Sequence, residues 1–197
     1  IQVIGEEDGV FNDSDGILFY GEGNDNWNSE SETNINLYSD NSYYYITTDG
    51  VDGKRISEAS QPTENSNLTI TDFDNTQFHE IDEVNIAKVG RTWFGEDFDT
   101  KNIQDFNFSL PNIVPSSTIT LTTHFAVKST SSCTFKFEAN NQTLFTKSFS
   151  AGDGKLPKDT TITSSIPSTE NLNIKLTFNN NGVPTANGYL NYINLNF

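Results

Sequence analysis

Leu172-Asn173-Ile174-Lys175-Leu176-Thr177-Phe178 places an apolar side chain at every second position, with polar residues between them. A helix would need apolar spacing of three and four. A strict period of two fits an extended strand with one face in a core and the other in water. The same alternation recurs on either side. Ile119, Leu121, Thr123, Phe125 and Val127 carry it across Thr118–Val127, Phe135, Phe137 and Ala139 in the next run, and Tyr189, Ile193, Leu195 and Phe197 at the end. Turn residues separate the runs. Asn140-Asn141 splits Thr134–Ala139 from Gln142–Ser148 as a hairpin, Ala151-Gly152-Asp153-Gly154 ends the second arm, and Asn179-Asn180-Asn181-Gly182 with Pro184 breaks the last pair. The second half therefore reads as about six strands at the spacing of a β-sandwich of jelly-roll type.

The first half is less regular. Ile17–Tyr20 and the aromatic, β-branched Tyr43–Thr48 read as strands, and a further strand is expected near Arg55–Ala59 after a turn over Asp49–Gly53. Between the first two lies Gly21–Asp40, a long loop rich in Asn, Ser, Asp and Glu, of the length that marks function or disorder. Gln61–Asn67 is loop-like, and Leu68–Thr71 and Gln77–Ile86 carry extended or mixed structure. The expected class is all-β: a smaller β-rich unit over residues 1–98 and a jelly-roll-like sandwich over 99–197.

Only 34% of the 197 residues are hydrophobic, but 15 Phe, 7 Tyr and 2 Trp supply bulky core. Disordered chains are poor in aromatics, and a sandwich tolerates polar residues on half of each strand. The formal charge of −16, from 27 acidic against 11 basic residues, repels phosphate backbones and anionic lipid, which argues against nucleic-acid binding. No apolar run reaches membrane-spanning length. The single cysteine, Cys133, has no partner within the chain for a disulfide. Ile1 opens in mid-pattern and Met is absent, so the sequence reads as a segment of a longer protein.

Four groups of residues carry candidate chemistry. Asp8, Asn12, Asp13 and Asp15, followed by Gly16, place several oxygens in one short loop, as calcium requires; the spacing and bidentate Glu of an EF-hand are missing, and the same residues suit a solvated turn. Cys133 shares parity with Phe135 and Phe137 and is expected in the core, while His124 falls on the opposite face and reads as a surface histidine. With His79 they form no recognisable nucleophile–base motif. Trp27 and Tyr44 are the aromatics best placed to contact a sugar or protein ligand. Gly90-Arg91-Thr92-Trp93-Phe94-Gly95-Glu96-Asp97-Phe98 brackets Arg, Trp and Phe with glycines; it reads as a packed connector anchored by Trp93 and Phe94, with Arg91 paired to Glu96 or Asp97.

That last segment resembles the Gly-Arg-x-Trp-Phe-Gly-Glu-x-Phe element of the PorU-type sortases of type IX secretion, members of the gingipain family of cysteine peptidases. Asp8–Gly23 with Trp27, the Tyr-rich Asn36–Thr47, Gly53-Lys54-Arg55-Ile56 and the closing Gly188–Phe197 are similar to that family in the same order, with Asn191 where the family has Asp. The resemblance implies the non-catalytic region preceding a peptidase domain, whose catalytic His and Cys lie outside these residues. It further implies export, residence at the cell surface, outer membrane or periplasm, and the peptidase domain of the same polypeptide and outer-membrane secretion components as partners. No catalytic role passes to His79, His124 or Cys133. The alternative is a carbohydrate-binding sandwich stabilised by calcium.

Overall fold

The computed structural model describes every residue except Thr48, Asp49 and Asp52. The chain forms two compact units: Ile1–Asp25 with Tyr38–Thr71, and Asn26–Leu37 with Asp72–Phe197.

In the first unit, strands β1 (Gln2–Ile4) and β2 (Gly16–Leu18) pair antiparallel, Val3 opposite Ile17. A single 3₁₀ turn over Glu6–Asp8 lies between them, flanked by Gly5 and Gly9 at positive φ. The strands expected over Tyr43–Thr48 and Arg55–Ala59 do not form among the described residues; Thr48, and Asp49 and Asp52 of the expected turn, lie outside them. The reason is that β-propensity expresses itself only where a neighbouring edge supplies hydrogen bonds and cover. Tyr45 and Ile46 are 90% and 62% exposed, and Tyr44 instead donates its hydroxyl to the Glu22 carbonyl. None of this unit's described residues is buried.

The second unit is an eight-stranded antiparallel jelly roll. Its strands are β3 (Thr76–Glu80), β4 (Ile103–Ser109), β5 (Thr118–Lys128), β6 (Cys133–Ala139), β7 (Gln142–Phe149), β8 (Lys158–Pro167), β9 (Asn171–Asn179) and β10 (Asn187–Asn196). They form two four-stranded sheets, ordered β3-β10-β5-β8 and β4-β9-β6-β7. Every connection crosses from one sheet to the other except the β6–β7 hairpin, whose Asn140 and Asn141 both take positive φ. Asn tolerates that region, and a pair of such residues matches the twist of a two-residue hairpin.

The alternating residues meet between the sheets. Phe125, Phe135, Phe137 and Phe178 are wholly or almost wholly buried among Leu121, Leu172, Ile174, Leu176, Leu190 and Leu195. Gly188 on β10 is required here, because a Cβ would lie 2.4 Å from the Phe135 ring. The edge strand beside β10 comes in two pieces. β3 pairs with Tyr192–Asn196; residues 81–93 then loop away; and Phe94–Phe98 returns to β10, Gly95 N–H donating to Leu190 O, Leu190 N–H to Glu96 O and Phe98 N–H to Gly188 O. The jelly roll therefore begins upstream of residue 99, and the division expected there falls inside it, between the edge segment Phe94–Phe98 and β4.

Candidate functional site

The outer face of the β3-β10-β5-β8 sheet is covered by the chain itself. Register places Glu80, Tyr192, His124 and Thr161 across one row of that face. Ile86 and Phe94, from the excursion after β3, pack on Ala126 and Tyr189. Residues Thr123–Val127 of β5 are consequently buried on both faces.

His124, expected at the surface, is only 4% exposed. Its alternation was read correctly, but Phe94 covers the outward side, ring centroids 5.6 Å apart. Asn191 donates from Nδ2 to His124 Nδ1 at 2.8 Å, which leaves the ring proton on Nε2 to donate to Asp159 at 3.1 Å. Asn191 sits where the register of β10 slips between Leu190 and Tyr192, so a bulge turns its amide toward the imidazole and leaves its own Oδ1 buried without a partner. Burial pushes the Tyr192 phenol up, opposed by a hydrogen bond with Thr161.

Glu80 organises the neighbouring half of this face. It is 7% exposed and accepts three hydrogen bonds, from the Thr33 hydroxyl at 2.5 Å, the Asn34 backbone at 2.7 Å and the Asn34 side chain at 2.8 Å. The Asn34 amide also reaches Asn194 on β10. These contacts hold residues 26–37 as a strap against the sheet. Trp27 of the strap, 47% exposed, stands edge-on against Tyr192 with centroids 5.4 Å apart. Part of the long polar loop is thus ordered by one buried carboxylate.

Asp82 lies just beyond. Burial, with the Glu80 charge adding to it, pushes its carboxyl up to about 6, and its Oδ2 has no hydrogen-bond partner. A carboxyl raised in the fold favours the protonated state there, so its contribution to stability grows as pH falls through 6 toward the ordinary 3.8 and is lost above 6. Asp82→Asn is expected to raise stability at pH 7 by about 1–2 kcal/mol, after discounting for partial solvent access. The gain should vanish near pH 4, and thermal melts of both proteins across that range provide the check.

Of the segment Gly90–Phe98, expected to be packed and anchored by Trp93 and Phe94, only Phe94, Gly95 and Phe98 are buried, while Gly90–Trp93 stay exposed. Phe94 is 3% exposed and Trp93 37%. Arg91 is exposed, and the pairing expected with Glu96 is replaced by a contact between Glu96 and His79, whose ring packs on Phe106. Glu96 faces His79 because both lie on the core side of the broken edge strand, directed there by pairing with β10. A Cβ on Gly95 would come within 2.1 Å of Ile81 Cγ1 and 2.6 Å of its carbonyl. Gly95→Ala must separate the two edge pieces, with an expected loss of about 1–3 kcal/mol in chemical denaturation. A loss under about 0.5 kcal/mol would show that the edge relaxes freely.

The other candidates do not converge. Cys133 is fully buried between the sheets, beside Ser129, and desolvation pushes its thiol up. His124 lies on the outer face of the opposite sheet, and the partners of His79 are Glu96 and Phe106. In the acidic loop, Asp8 accepts from Val10 N–H, Asp15 from Asn12 N–H, and Asn12 from Ser14 N–H and Oγ–H, while Asp13 is exposed. Those oxygens cap their own turns. Among the described residues no group of three or more His, Cys, Asp or Glu converges as a metal site. Tyr44 is 47% exposed and packs on Phe19. Sequence reasoning missed Glu80, Asp82, Asp159 and Asn191. For Asn191 a signal existed: Leu190 and Ile193 both point inward at a spacing of three, which a strand permits only through a bulge.

No family model and no curated protein matches the chain. Among solved structures, dimeric latent PorU from Porphyromonas gingivalis matches 63% of this chain at 18% identity with a TM-score of 0.55; the chain spans 12% of that chain's length. The CBM36-1 domain of a multidomain xylanase from the hindgut metagenome of Trinervitermes trinervoides matches 61% of this chain and 96% of its own, at 13% identity and TM-score 0.40. A family 35 carbohydrate binding module from Clostridium thermocellum matches 61% and 90%, at 14% identity and TM-score 0.38. At these identities the likeness is one of fold.

Proposed function

We propose that this chain is a non-catalytic scaffold region of a larger exported polypeptide, whose catalytic part is a gingipain-like cysteine peptidase of the type IX secretion sortase type. The observation that carries the reading is the unburied first unit. Phe11, Tyr20, Tyr38, Tyr45, Val51 and Ile70 are each more than 70% exposed there. Apolar side chains left in water give no folding energy, at about 25 cal/mol per Å² when covered, so covering these residues against a partner would stabilise the unit. The occupant we assign is the peptidase domain of the same polypeptide, at the cell surface or outer membrane. The agreement of Gly90–Phe98 with the sortase pattern and the PorU fold likeness support this reading.

The test is hydrogen exchange on the isolated chain and on the parent polypeptide. Amides of residues 1–25 and 38–71 should exchange markedly more slowly in the parent, while the jelly-roll strands exchange alike in both. Equally fast exchange of the first unit in both proteins would remove the basis of the assignment.

The carbohydrate reading has less to stand on. The exposed face of the β4-β9-β6-β7 sheet carries Asp105, Asn107, Lys136, Glu138, Asn173 and Lys175, with none of the aromatic side chains on which sugars stack. Trp27 is an exposed aromatic platform on the jelly roll, and glycan binding abolished by Trp27→Ala would restore that reading.

A further inference from the structure

The four edges of the jelly roll are unequally protected against strand addition. The β3 edge is broken by residues 81–93. β4 carries Asp105 at mid-strand. β7 is irregular opposite Phe137 and Glu138 and carries Lys147. Breaks, bulges and mid-strand charges are the devices that stop an edge from recruiting another chain. β8 has none of them between its ends. Thr160-Thr161-Ile162-Thr163-Ser164-Ser165-Ile166 contains no charge, glycine or proline, and its register with β5 runs without a slip from Lys158 to Pro167. On its far side no strand pairs with it among the described residues.

A second feature adjoins this edge. Where β8 ends, a cavity of about 210 Å³ opens between the sheets, with Ala139, Leu144 and Ile166 as its apolar lining and Asn140, Gln142 and Thr169 as its polar one. Ile162 and Ser164, which point inward, are only half-covered. An added strand supplies main-chain hydrogen bonds for affinity, and a pocket beside it reads one of its side chains.

The charges point to the occupant. Lys158 is tied down by three contacts, to Ser150 O, Ser150 Oγ and Ala151 O. Those partners are uncharged, so Lys158 offsets Asp159 at one end of the open run, while exposed Glu170 leaves the other end negative, within a chain of net charge −16. Two copies pairing through β8 would bring like fields together. We propose that β8 accepts an extended, cationic peptide segment of another polypeptide as a fifth strand of its sheet, with one aliphatic side chain of that segment seated in the cavity.

The probe is a blocked octapeptide alternating Lys and Val, titrated into the isotopically labelled chain and followed by amide NMR. Shifts should concentrate on Thr160–Ile166 and the Asn140–Leu144 turn, with a Kd of roughly 100 µM that weakens as salt is raised. Ser164→Lys adds an inward guard to the edge, and Gln142→Trp closes the cavity without touching β8. Each should weaken binding by about tenfold, whereas Asn173→Lys, the same charge on the other sheet, should change it by less than about twofold. Shifts centred elsewhere, equal weakening by both lysine variants, undiminished binding by Gln142→Trp, or sedimentation of the free chain as a β8-dependent dimer would each overturn the proposal.

Discussion

Phe135→Ala is expected to destabilise the jelly roll by about 3–5 kcal/mol, the range for removing a buried Phe without collapse of the site. Phe135 is the hub of the aromatic core. Its ring lies 5.0 Å from Phe98, 5.3 Å from Phe125 and 4.9 Å from Phe178, in edge-on or tilted geometries. Gly188 lies against the same ring from β10, so four elements lose a contact at once. Rings fixed by four elements in a close-packed core relax poorly into a void, which places the effect toward the upper end of the range. A domain of this size has a net stability of about 5–15 kcal/mol, so the variant should melt on the order of 10 °C lower. Urea titration read by Trp fluorescence and by amide signals of β5 and β6 gives the number. A loss under about 1 kcal/mol would mean that the ring cluster is loosely packed.

Why Phe135 was legible in the sequence, and other residues were not, follows from the physics of strands. Alternation fixes which face a side chain takes, so Leu172–Phe178 and Phe135–Ala139 declare their inward residues without any tertiary information. It does not say whether the outer face meets water. His124 took its predicted face and is buried because Phe94, thirty positions upstream, returns over it. The strands β4 and β8 were harder to see. β8 is mostly Thr and Ser, and half-covered inward positions are all that its edge location requires. β3 was blurred into Gln77–Ile86 because the edge strand is interrupted at residue 81. In the first unit the failure ran the other way: Tyr43–Ile46 has the composition of a strand but pairs with no strand among the described residues. Carboxylates were the least legible. With acids distributed throughout, nothing local distinguishes Glu80, buried under three donors, from Asp13, which is solvated.

Glu80→Ala is the substitution expected to separate the strap from the sandwich. It deletes the acceptor for the Thr33 hydroxyl and for both Asn34 donors, all at a site closed to water. Donors stranded without acceptors cost more than the net value of the bonds they made, and charge-assisted bonds to a carboxylate are the stronger kind. The combined effect is about 2–4 kcal/mol, reduced to the extent that water enters the vacated space. The loss should be local. Residues 26–37 share few bonds with the core, whereas β5 and β10 are held by ladders on both sides. Hydrogen exchange should therefore speed up by orders of magnitude across the strap and Trp27 should become more exposed, with β5 nearly unchanged. Glu80→Gln sharpens the test, because its carboxamide keeps the shape and one acceptor oxygen but turns an N–H₂ toward donors. It should loosen the strap almost as far as alanine does. If the glutamine variant instead exchanged like the parent chain, shape rather than charge would be holding the strap. If both variants unfolded the jelly roll together with the strap, the strap would be part of the cooperative core and not a separable cover on its outer sheet.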